Sequence, residues 1–375
     1  MVSGVPAGAE AAVLEVGPGK RYAKPCAAIA AAQPGDTIRI DARGNGTYDG
    51  DVCDVRTARL TIEGVRGRAR IAAAGRSSGG KGIWVISGPD TVVRNVELTG
   101  AAVPDRNGAG IRLEGEGDLR LERSSFHGNE NGILVTASAT ESDVVVDSTS
   151  FAGNGAGDGY SHNIYVARAR SFTMRYSASR GARRGHLVKT RARRNAILFN
   201  RLAGEGSTSS YELDIPDGGV ARVVGNVVQQ GPQTENATLL AFGEESLANP
   251  NSRLTLAHNT FVSGRRGPAT AVRVGGDGAV PVTAVNDLVT GVSTYVDGGG
   301  KRTLRGTCTA ANPRFVAPAR FDFRLRTSSP CRDAGVRKVP GGVPREQYVR
   351  DLRHERRTTA GRRPDAGAFE IRRRR

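Results

Sequence analysis

The sequence predicts an all-β protein built as a parallel β-helix solenoid, with a short N-terminal capping helix and an irregular C-terminal tail. Glycine supplies 50 of the 375 residues, which disfavours long helices because each helical glycine costs roughly 1 kcal/mol. Short apolar strand patterns recur with starts 22 to 32 residues apart. A unit of this size cannot bury its own apolar face, so successive units must stack.

The chain divides into three segments. Residues 1–36 are expected to form the N-terminal segment, in which "PCAAIAAA" indicates a short helix with Pro25 near its first turn. Such a helix would cover the unpaired edge of the first coil. Residues 37–292 carry the repeats and should form the β-helix, with a first strand from Thr37. Residues 293–375 are expected to form a C-terminal tail or cap, and the sequence leaves the oligomeric state open.

Each repeat contains two recognisable strand patterns. The first strands include "GIWVISG", "GIRLEGEG", "GILVTAS", "NIYVARA", "HLVKTRA" and "YELDIPDGG", and the second include "TVVRNVEL", "VVVDSTSF" and "AILFNRL". The period resembles that of leucine-rich repeats, but the fixed leucine consensus of that class is absent. Asparagines recur in the second set at Asn200, Asn226, Asn259 and Asn286. Because stacked amides can bond to each other along the solenoid, we interpret these four asparagines as structural.

The four cysteines form an early pair and a late pair. Neither pair has CxxC spacing, and no histidine lies at zinc-ligand spacing. Two local disulfides, Cys26–Cys53 and Cys308–Cys331, are the simplest interpretation, and they favour an oxidising compartment. We therefore expect a secreted or periplasmic protein whose export signal lies outside this sequence, since residues 1–13 lack a signal-peptide pattern. No apolar run approaches the ~20 residues of a membrane span, so no transmembrane segment is expected.

The chain is strongly basic. Its formal net charge is +17, which favours an anionic partner such as nucleic acid, an anionic polysaccharide or an acidic membrane surface. An arginine-rich proteome would give the same balance. Aromatic residues make up only 5% of the chain, which disfavours the stacking of single-stranded nucleic acid on the protein.

Several stretches together resemble a known superfamily. The predicted helix with "PGDTIRI", the repeated coils, and the endings "FRLRTSSPCRDAG" and "PDAGAFE" are similar to secreted bacterial right-handed parallel β-helix proteins of the pectate-lyase-like superfamily. The resemblance extends over almost the whole chain and implies a right-handed solenoid. That fold carries lyases, hydrolases, epimerases and phage adhesins, so it does not by itself assign a reaction.

Signatures of other members are absent. The sequence has no adjacent "DD" aspartates of the polygalacturonase type, no Asp-Pro-His-Asp tetrad and no calcium-binding nonapeptide repeats. What remains is similar to lyases that use Lys and Arg on one sheet, as in chondroitinase-B-like and alginate-lyase-like β-helices. The resemblance implies a polysaccharide lyase that cleaves an anionic, uronic-acid-containing polymer by β-elimination. A uronate C5-epimerase and a non-catalytic polysaccharide-binding adhesin or matrix protein stay open as alternatives, and no nucleic-acid partner is expected.

Strand alternation selects candidate catalytic residues. Successive side chains of a strand point to opposite faces, and parallel strands stack about 4.8 Å apart. Aligning the first strands by their inward residues places Tyr165, Lys189 and Asp214 in one outward ladder on successive coils. The same alignment turns Asn163 and Glu212 outward beside that ladder.

The loops that enter these strands add further polar side chains. "GNGAGDGYSH" holds Tyr160 and His162, and "SRGARRGH" holds Arg183, Arg184 and His186. β-Elimination requires neutralisation of the substrate carboxylate, a base for the C5 proton, and an acid for the leaving oxygen. Lysine suits the base role because neighbouring cations can lower its pKa.

The predicted roles follow from this geometry. The catalytic candidates are Lys189 as base or carboxylate neutraliser, Tyr165 or His162 as proton donor, and Asp214 as an orienting group. The candidates for substrate binding are Arg183, Arg184, Arg191, Glu212, Asn163, Tyr160 and His186. Each has a structural alternative: Lys189 and Asp214 could form a plain surface ion pair, worth under about 1 kcal/mol. No metal site is predicted, although calcium at Glu244 and Glu245 stays open as a cofactor.

Overall fold

The protein is described here by a computed structural model that covers residues 10–43, 46–349 and 352–371. The chain forms a parallel β-solenoid of about eleven turns, as the repeats predict. Each turn contributes one strand to each of three long parallel sheets, named sheets A, B and C.

The strands of the three sheets follow the chain from one end of the solenoid to the other. Sheet A contains Val13–Val16, Thr37–Asp41, Thr61–Val65, Thr91–Arg94, Leu119–Glu122, Asp143–Asp147, Ser171–Arg175, Arg194–Leu198, Gly218–Val224, Asn249–Ala257, Val282–Val285 and Arg302–Arg305. Sheet B contains Thr47–Asp49, Ala69–Ala72, Val96–Thr99, Ser125–His127, Ser150–Ala152, Ala178–Arg180, Arg201–Ala203, Val227–Gln230, Thr260–Ser263, Leu288–Thr290 and Cys308–Thr309. Sheet C contains Cys53–Val55, Gly82–Ile86, Ala109–Leu113, Asn131–Val135, Ile164–Val166, Lys189–Thr190, Leu213–Ile215, Thr238–Phe242, Thr270–Val274 and Thr294–Gly298.

The core is a stack of equivalent side chains inside the three sheets. In sheet C, Ile133, Ile164, Val188, Leu213 and Leu240 lie in successive turns and are fully buried. Every turn repeats this burial, so each layer covers the apolar face of the next. In the sheet C strands, alternate side chains therefore point into the core, and the side chains between them lie at the surface.

An asparagine ladder lines the tight turn between sheets A and B. The side-chain oxygen of Asn226 accepts a bond from the Asn200 amide at 3.0 Å, and Asn259 accepts one from Asn226 at 3.0 Å. The structural interpretation of these three asparagines is confirmed. Asn286 is also buried and structural, but it lies outside the ladder: its side chain bonds with the backbone of Val336, and Asp287 accepts the Asn259 amide in its place.

A helix covers the N-terminal end of the solenoid, and one disulfide lies near each end of the chain. The helix Pro25–Ala31 packs against the first coil, and the disulfides Cys26–Cys53 and Cys308–Cys331 are both formed as predicted. The parallel strands extend beyond the predicted range of residues 37–292. Val13–Val16 pairs with the next strand of sheet A, and the last turn reaches Thr309.

The tail lies against the later turns. It contains two antiparallel pairs, Phe315–Ala317 with Asp322–Leu325 and Glu346–Tyr348 with His354–Arg356, and the short 3-10 helix Pro318–Arg320. Apolar tail residues such as Phe323 pack on the outer side of sheet B at Val227. Within the described residues, none of the helices is long and apolar enough to cross a membrane.

Candidate active site

The predicted outward ladder exists on sheet C. Tyr165 pairs in register with Lys189, and Lys189 pairs with Asp214, so the three side chains lie on successive strands. Val188, which directly precedes Lys189, is fully buried. Because strand neighbours alternate faces, the burial of Val188 fixes Lys189 on the outer face.

Lys189 lies between two carboxylates. Its Nζ is 3.3 Å from Oδ2 of Asp214 and 2.9 Å from Oε1 of Glu245. Burial by itself would lower the pKa of Lys189, but the charges of Asp214 and Glu245 outweigh burial and raise it. The hypothesis that neighbouring arginines lower this pKa is therefore wrong, and Lys189 is an ammonium ion at neutral pH.

Arg191 continues the ladder at the far end of the strand. Its guanidinium donates to the carboxylates of Asp217 and Glu245 and bonds with the hydroxyl of Tyr165. Burial alone would lower the pKa of Arg191, but these partners raise it. Lys189 and Arg191 thus present two permanent cations that share one half-exposed carboxylate, Glu245.

Two histidines border the ladder on its other side. The rings of His162 and His186 stack with centroids 4.6 Å apart, and the edge of His162 meets the ring of Tyr165 at 5.3 Å. Nδ1 of His162 accepts the backbone N–H of His186, and Nδ1 of His186 accepts that of Tyr211. Since a neutral imidazole carries one proton, these bonds place it on Nε2 in both rings.

Burial keeps both histidines neutral. It lowers the pKa of His162 to about 3, with help from the charge of Lys189. It lowers the pKa of His186 well below the usual value, with help from His162 and Lys189. Nε2 of His186 lies 3.5 Å from Oδ2 of Asp214. The proton of His186 therefore lies on the nitrogen that faces Asp214, and a neutral imidazole is too weak an acid to be the main proton source.

Asp214 is the buried member of the ladder. Its side chain is 4% exposed. Burial raises the pKa of Asp214 to about 6, although the neighbouring Lys189 ammonium acts in the opposite direction. The carboxyl group thus fixes the positions of Lys189 and His186 from beneath the outer surface.

Two predicted positions face inward. Asn163 is fully buried, where its side-chain oxygen accepts a bond from Asn154 at 2.8 Å and its amide donates to Ser179. Glu212 is also fully buried, neither carboxylate oxygen has a hydrogen-bond partner on another of the described residues, and burial raises its pKa well above the usual value. The predicted outward orientation is wrong for both, because the strand has not yet begun at these positions and the turn directs the side chains inside.

The loop residues lie apart from the ladder. Tyr160 is 86% exposed and Arg183 is exposed. Arg184 donates to Glu235 at 2.7 Å. Within the described residues, no hydrogen bond or ion pair joins these three side chains to Lys189 or Asp214. They form the border of the sheet C face on the side where sheet B connects to it.

Sequence reasoning missed three members of the cluster. Asp217 and Tyr211 lie next to strand Leu213–Ile215, and Glu245 was considered only for calcium. Asp217 and Glu245 follow the strands of two successive coils, and that offset could have placed both beside Arg191. Glu244 pairs instead with Arg273 at 3.0 Å. The described residues hold no group of three or more His, Cys, Asp or Glu side chains arranged for a metal ion.

A cleft adjoins the ladder where sheet C connects to sheet A. Its volume is about 340 Å³, and it is lined by Arg168, Arg191, Arg193, Asp217 and five smaller side chains. Arg191 belongs to both the cleft and the ladder, so the cleft opens beside the outer face of sheet C.

Comparisons with known proteins match the fold. The crystal structure of pectate lyase Pel9A superposes with a TM-score of 0.64 at 14% identity, covering 96% of each chain. The alginate lyase from Paenibacillus sp. str. FPU-7 gives a TM-score of 0.42 at 12% identity, covering 80% of this chain and 99% of that one. A score that low supports no inference. No family model matches the sequence, and no curated protein matches it. The fold is thus the parallel β-helix that pectate lyase Pel9A also has, and an identity of 14% leaves the reaction unassigned.

Proposed function

We propose that the protein is a secreted polysaccharide lyase that cleaves an anionic, uronic-acid-containing polymer by β-elimination. The observation that carries this proposal is the pair of cations on the outer face of sheet C, Lys189 and Arg191, held beside the hydroxyl of Tyr165. The fold shared with pectate lyase Pel9A supports it. The two disulfides support an oxidising compartment, and so secretion.

Lys189 and Arg191 neutralise the substrate carboxylate. Neutralisation makes the C5 proton of a uronate acidic, because it stabilises the charge that develops when that proton leaves. Of the two roles that the sequence leaves open for Lys189, its raised pKa favours the neutraliser over the base. Glu245, half-exposed and bonded to both cations, occupies the place where a substrate carboxylate would bind.

Tyr165 transfers the proton. The hydroxyl oxygen of Tyr165 takes the C5 proton while its own proton passes to the leaving glycosidic oxygen. The bond between C4 and that oxygen breaks and a C4–C5 double bond forms, so the atoms balance with no co-reactant. His162, His186 and Asp214 hold Tyr165 and Lys189 in place, through the ring contact and the ion pair described above.

The decisive assay uses the purified protein with polygalacturonate, alginate and chondroitin sulfate. We expect one of these polymers to yield an unsaturated product that absorbs in the near ultraviolet. Tyr165→Phe should lower turnover by about 100-fold or more, while Tyr22→Phe, a matched change beside the first strand of sheet A, should leave it unchanged.

Other outcomes would replace the proposal. A change in uronate stereochemistry without absorbance would identify an epimerase, which abstracts the same proton but returns it to the other face of C5. Binding without any chemical change would identify a polysaccharide-binding protein and would contradict catalysis. Full activity of Tyr165→Phe would keep the reaction but remove Tyr165 from it.

A further inference from the structure

A second cleft lies where the tail packs on sheet B, away from the outer face of sheet C that carries the ladder. It has a volume of about 200 Å³ and brings arginines and aromatic rings together: its lining includes Arg201, Arg320, Phe321, Arg324, Tyr348 and Arg353. Neither Lys189 nor any other residue of the ladder lines it. The cleft is formed by side chains that the proposed reaction does not use.

One wall of the cleft is an aromatic ring left open to solvent. Phe321 is 36% exposed and is one of five exposed large hydrophobic side chains in the described residues. The guanidinium of Arg201 lies over its ring, 5.4 Å from the centroid. Phe321 ends the 3-10 helix Pro318–Arg320 in a left-handed conformation with φ of 57°, where a phenylalanine side chain gains nothing from the core.

The charge of the cleft is positive. Arg324 is paired with Asp322, and Arg201 with Glu205 at 2.7 Å. Arg320 is exposed and has no carboxylate partner within the described part of the chain. Guanidinium groups bind carboxylates and sulfates through paired N–H donors. An apolar ring beside surplus guanidinium groups matches a pyranose ring that carries an acidic substituent.

We propose that this tail cleft is an accessory, non-catalytic binding site for one or two acidic sugar units of the polymer. Phe321 offers a face to the sugar ring, and Arg320 and Arg353 bind its acidic group. The class of ligand rests on the proposed function. A long polymer that occupies the ladder and the tail cleft together gains affinity without any new contact, because its second binding event is intramolecular.

The test is electrophoresis in native gels that contain polygalacturonate, alginate or chondroitin sulfate, with dextran as the neutral control. The wild-type protein should be retarded by an acidic polymer and not by dextran. We expect Phe321→Ala and Arg320→Ser each to weaken this retardation by about threefold to tenfold. Val316→Ala and Arg68→Ser, at exposed residues outside the cleft, are the matched controls. The acidic polymer should retard them as strongly as it retards the wild type.

The readout is binding, so it separates this proposal from the proposed reaction. Weaker retardation of Phe321→Ala in a protein without lyase activity would keep the accessory site and remove the enzyme. Retardation equal to that of Val316→Ala would overturn the accessory site, whatever the activity. In an active enzyme, Phe321→Ala should also raise KM for the long polymer and leave KM for a trimer unchanged.

Discussion

Two clusters of charged side chains in this protein share a composition and differ in what covers them. The open cluster, Lys189, Arg191, Asp214 and Glu245, lies on the outer face of sheet C, and its carboxylate Glu245 is 50% exposed. The sealed cluster, His258, Arg357, Asp365 and Glu370, lies where the tail meets the later turns. There Arg357 and Glu370 form an ion pair at 3.1 Å, with side chains 1% and 3% exposed.

The difference shows which cluster can meet a substrate. In the sealed cluster the two terminal nitrogens of Arg357 donate to fixed groups: the carbonyls of Asp365 and Gly367, a ring nitrogen of His258 and the carboxylate of Glu370. In the open cluster the cations are paired with a surface glutamate that a substrate carboxylate can replace. Because it is buried, the sealed cluster fixes the tail to the later turns. Because it is partly exposed, the open cluster is a candidate site.

The largest expected effect comes from breaking the sealed cluster. Arg357→Ala removes one partner of a buried pair and leaves Glu370 without its counter-charge, so we expect a loss of about 3–5 kcal/mol in the free energy of unfolding. Urea denaturation measures it. The matched control is Arg324→Ala, whose partner Asp322 lies nearer the surface, with an expected loss under about 1 kcal/mol. Equal losses in the two variants would show that the pair is not sealed.

Next in size is the loss of the central cation of the open cluster. Lys189→Ala should lower turnover by about 100-fold, equivalent to about 2.7 kcal/mol of transition-state stabilisation. Lys189→Arg keeps a cation at this position and should retain a substantial part of the activity, since Lys189 acts as a neutraliser. If Lys189→Arg is as inactive as Lys189→Ala, the lysine is the base after all. Lys301→Ala, an exposed lysine in the last turn, is the control.

The fold could be predicted from the sequence because every turn of the solenoid buries its apolar side chains in the same way. Alternation around Ile164, Val188 and Leu213 marks which face is buried, and it correctly placed Lys189 between Tyr165 and Asp214. The asparagine ladder and both disulfides followed from spacing in the same way.

The site could be predicted only where regular strands carry it. Asn163 and Glu212 precede their strands, so period-two alternation assigned them the wrong face. Glu245 lies 56 residues from Lys189 in the sequence, and its bond depends on the loop after strand Thr238–Phe242. The sequence predicted a lowered pKa for Lys189 because that prediction counted arginines nearby in the chain. It omitted the carboxylate of Glu245, which comes from another coil and helps to raise the pKa.

A smaller effect of burial should appear with pH, in the sealed cluster and at His162. Burial lowers the pKa of His258 to about 2, from its ordinary 6.5. Below pH 6.5 the unfolded chain binds a proton that folded His258 refuses, so the free energy of unfolding falls as pH drops, by at most about 1.4 kcal/mol per pH unit. His258→Gln should flatten this slope between pH 6.5 and pH 4. His162→Gln should flatten it too, since its pKa is about 3. An unchanged slope in His258→Gln would mean that the sealed cluster admits the proton.

The smallest expected effect tests whether the open cluster is held ready for a substrate carboxylate. Glu245→Ala removes a half-exposed partner of Lys189 and Arg191, so the free energy of unfolding should change by less than about 1 kcal/mol. Because the two cations then lack their competing carboxylate, KM for the acidic polymer should fall by about twofold to fivefold. Glu244→Ala, which breaks the equivalent surface pair with Arg273, should leave KM unchanged. A rise in KM or a loss of turnover in Glu245→Ala would mean that Glu245 positions the cations, and the open cluster would then resemble the sealed one in depending on every one of its pairs.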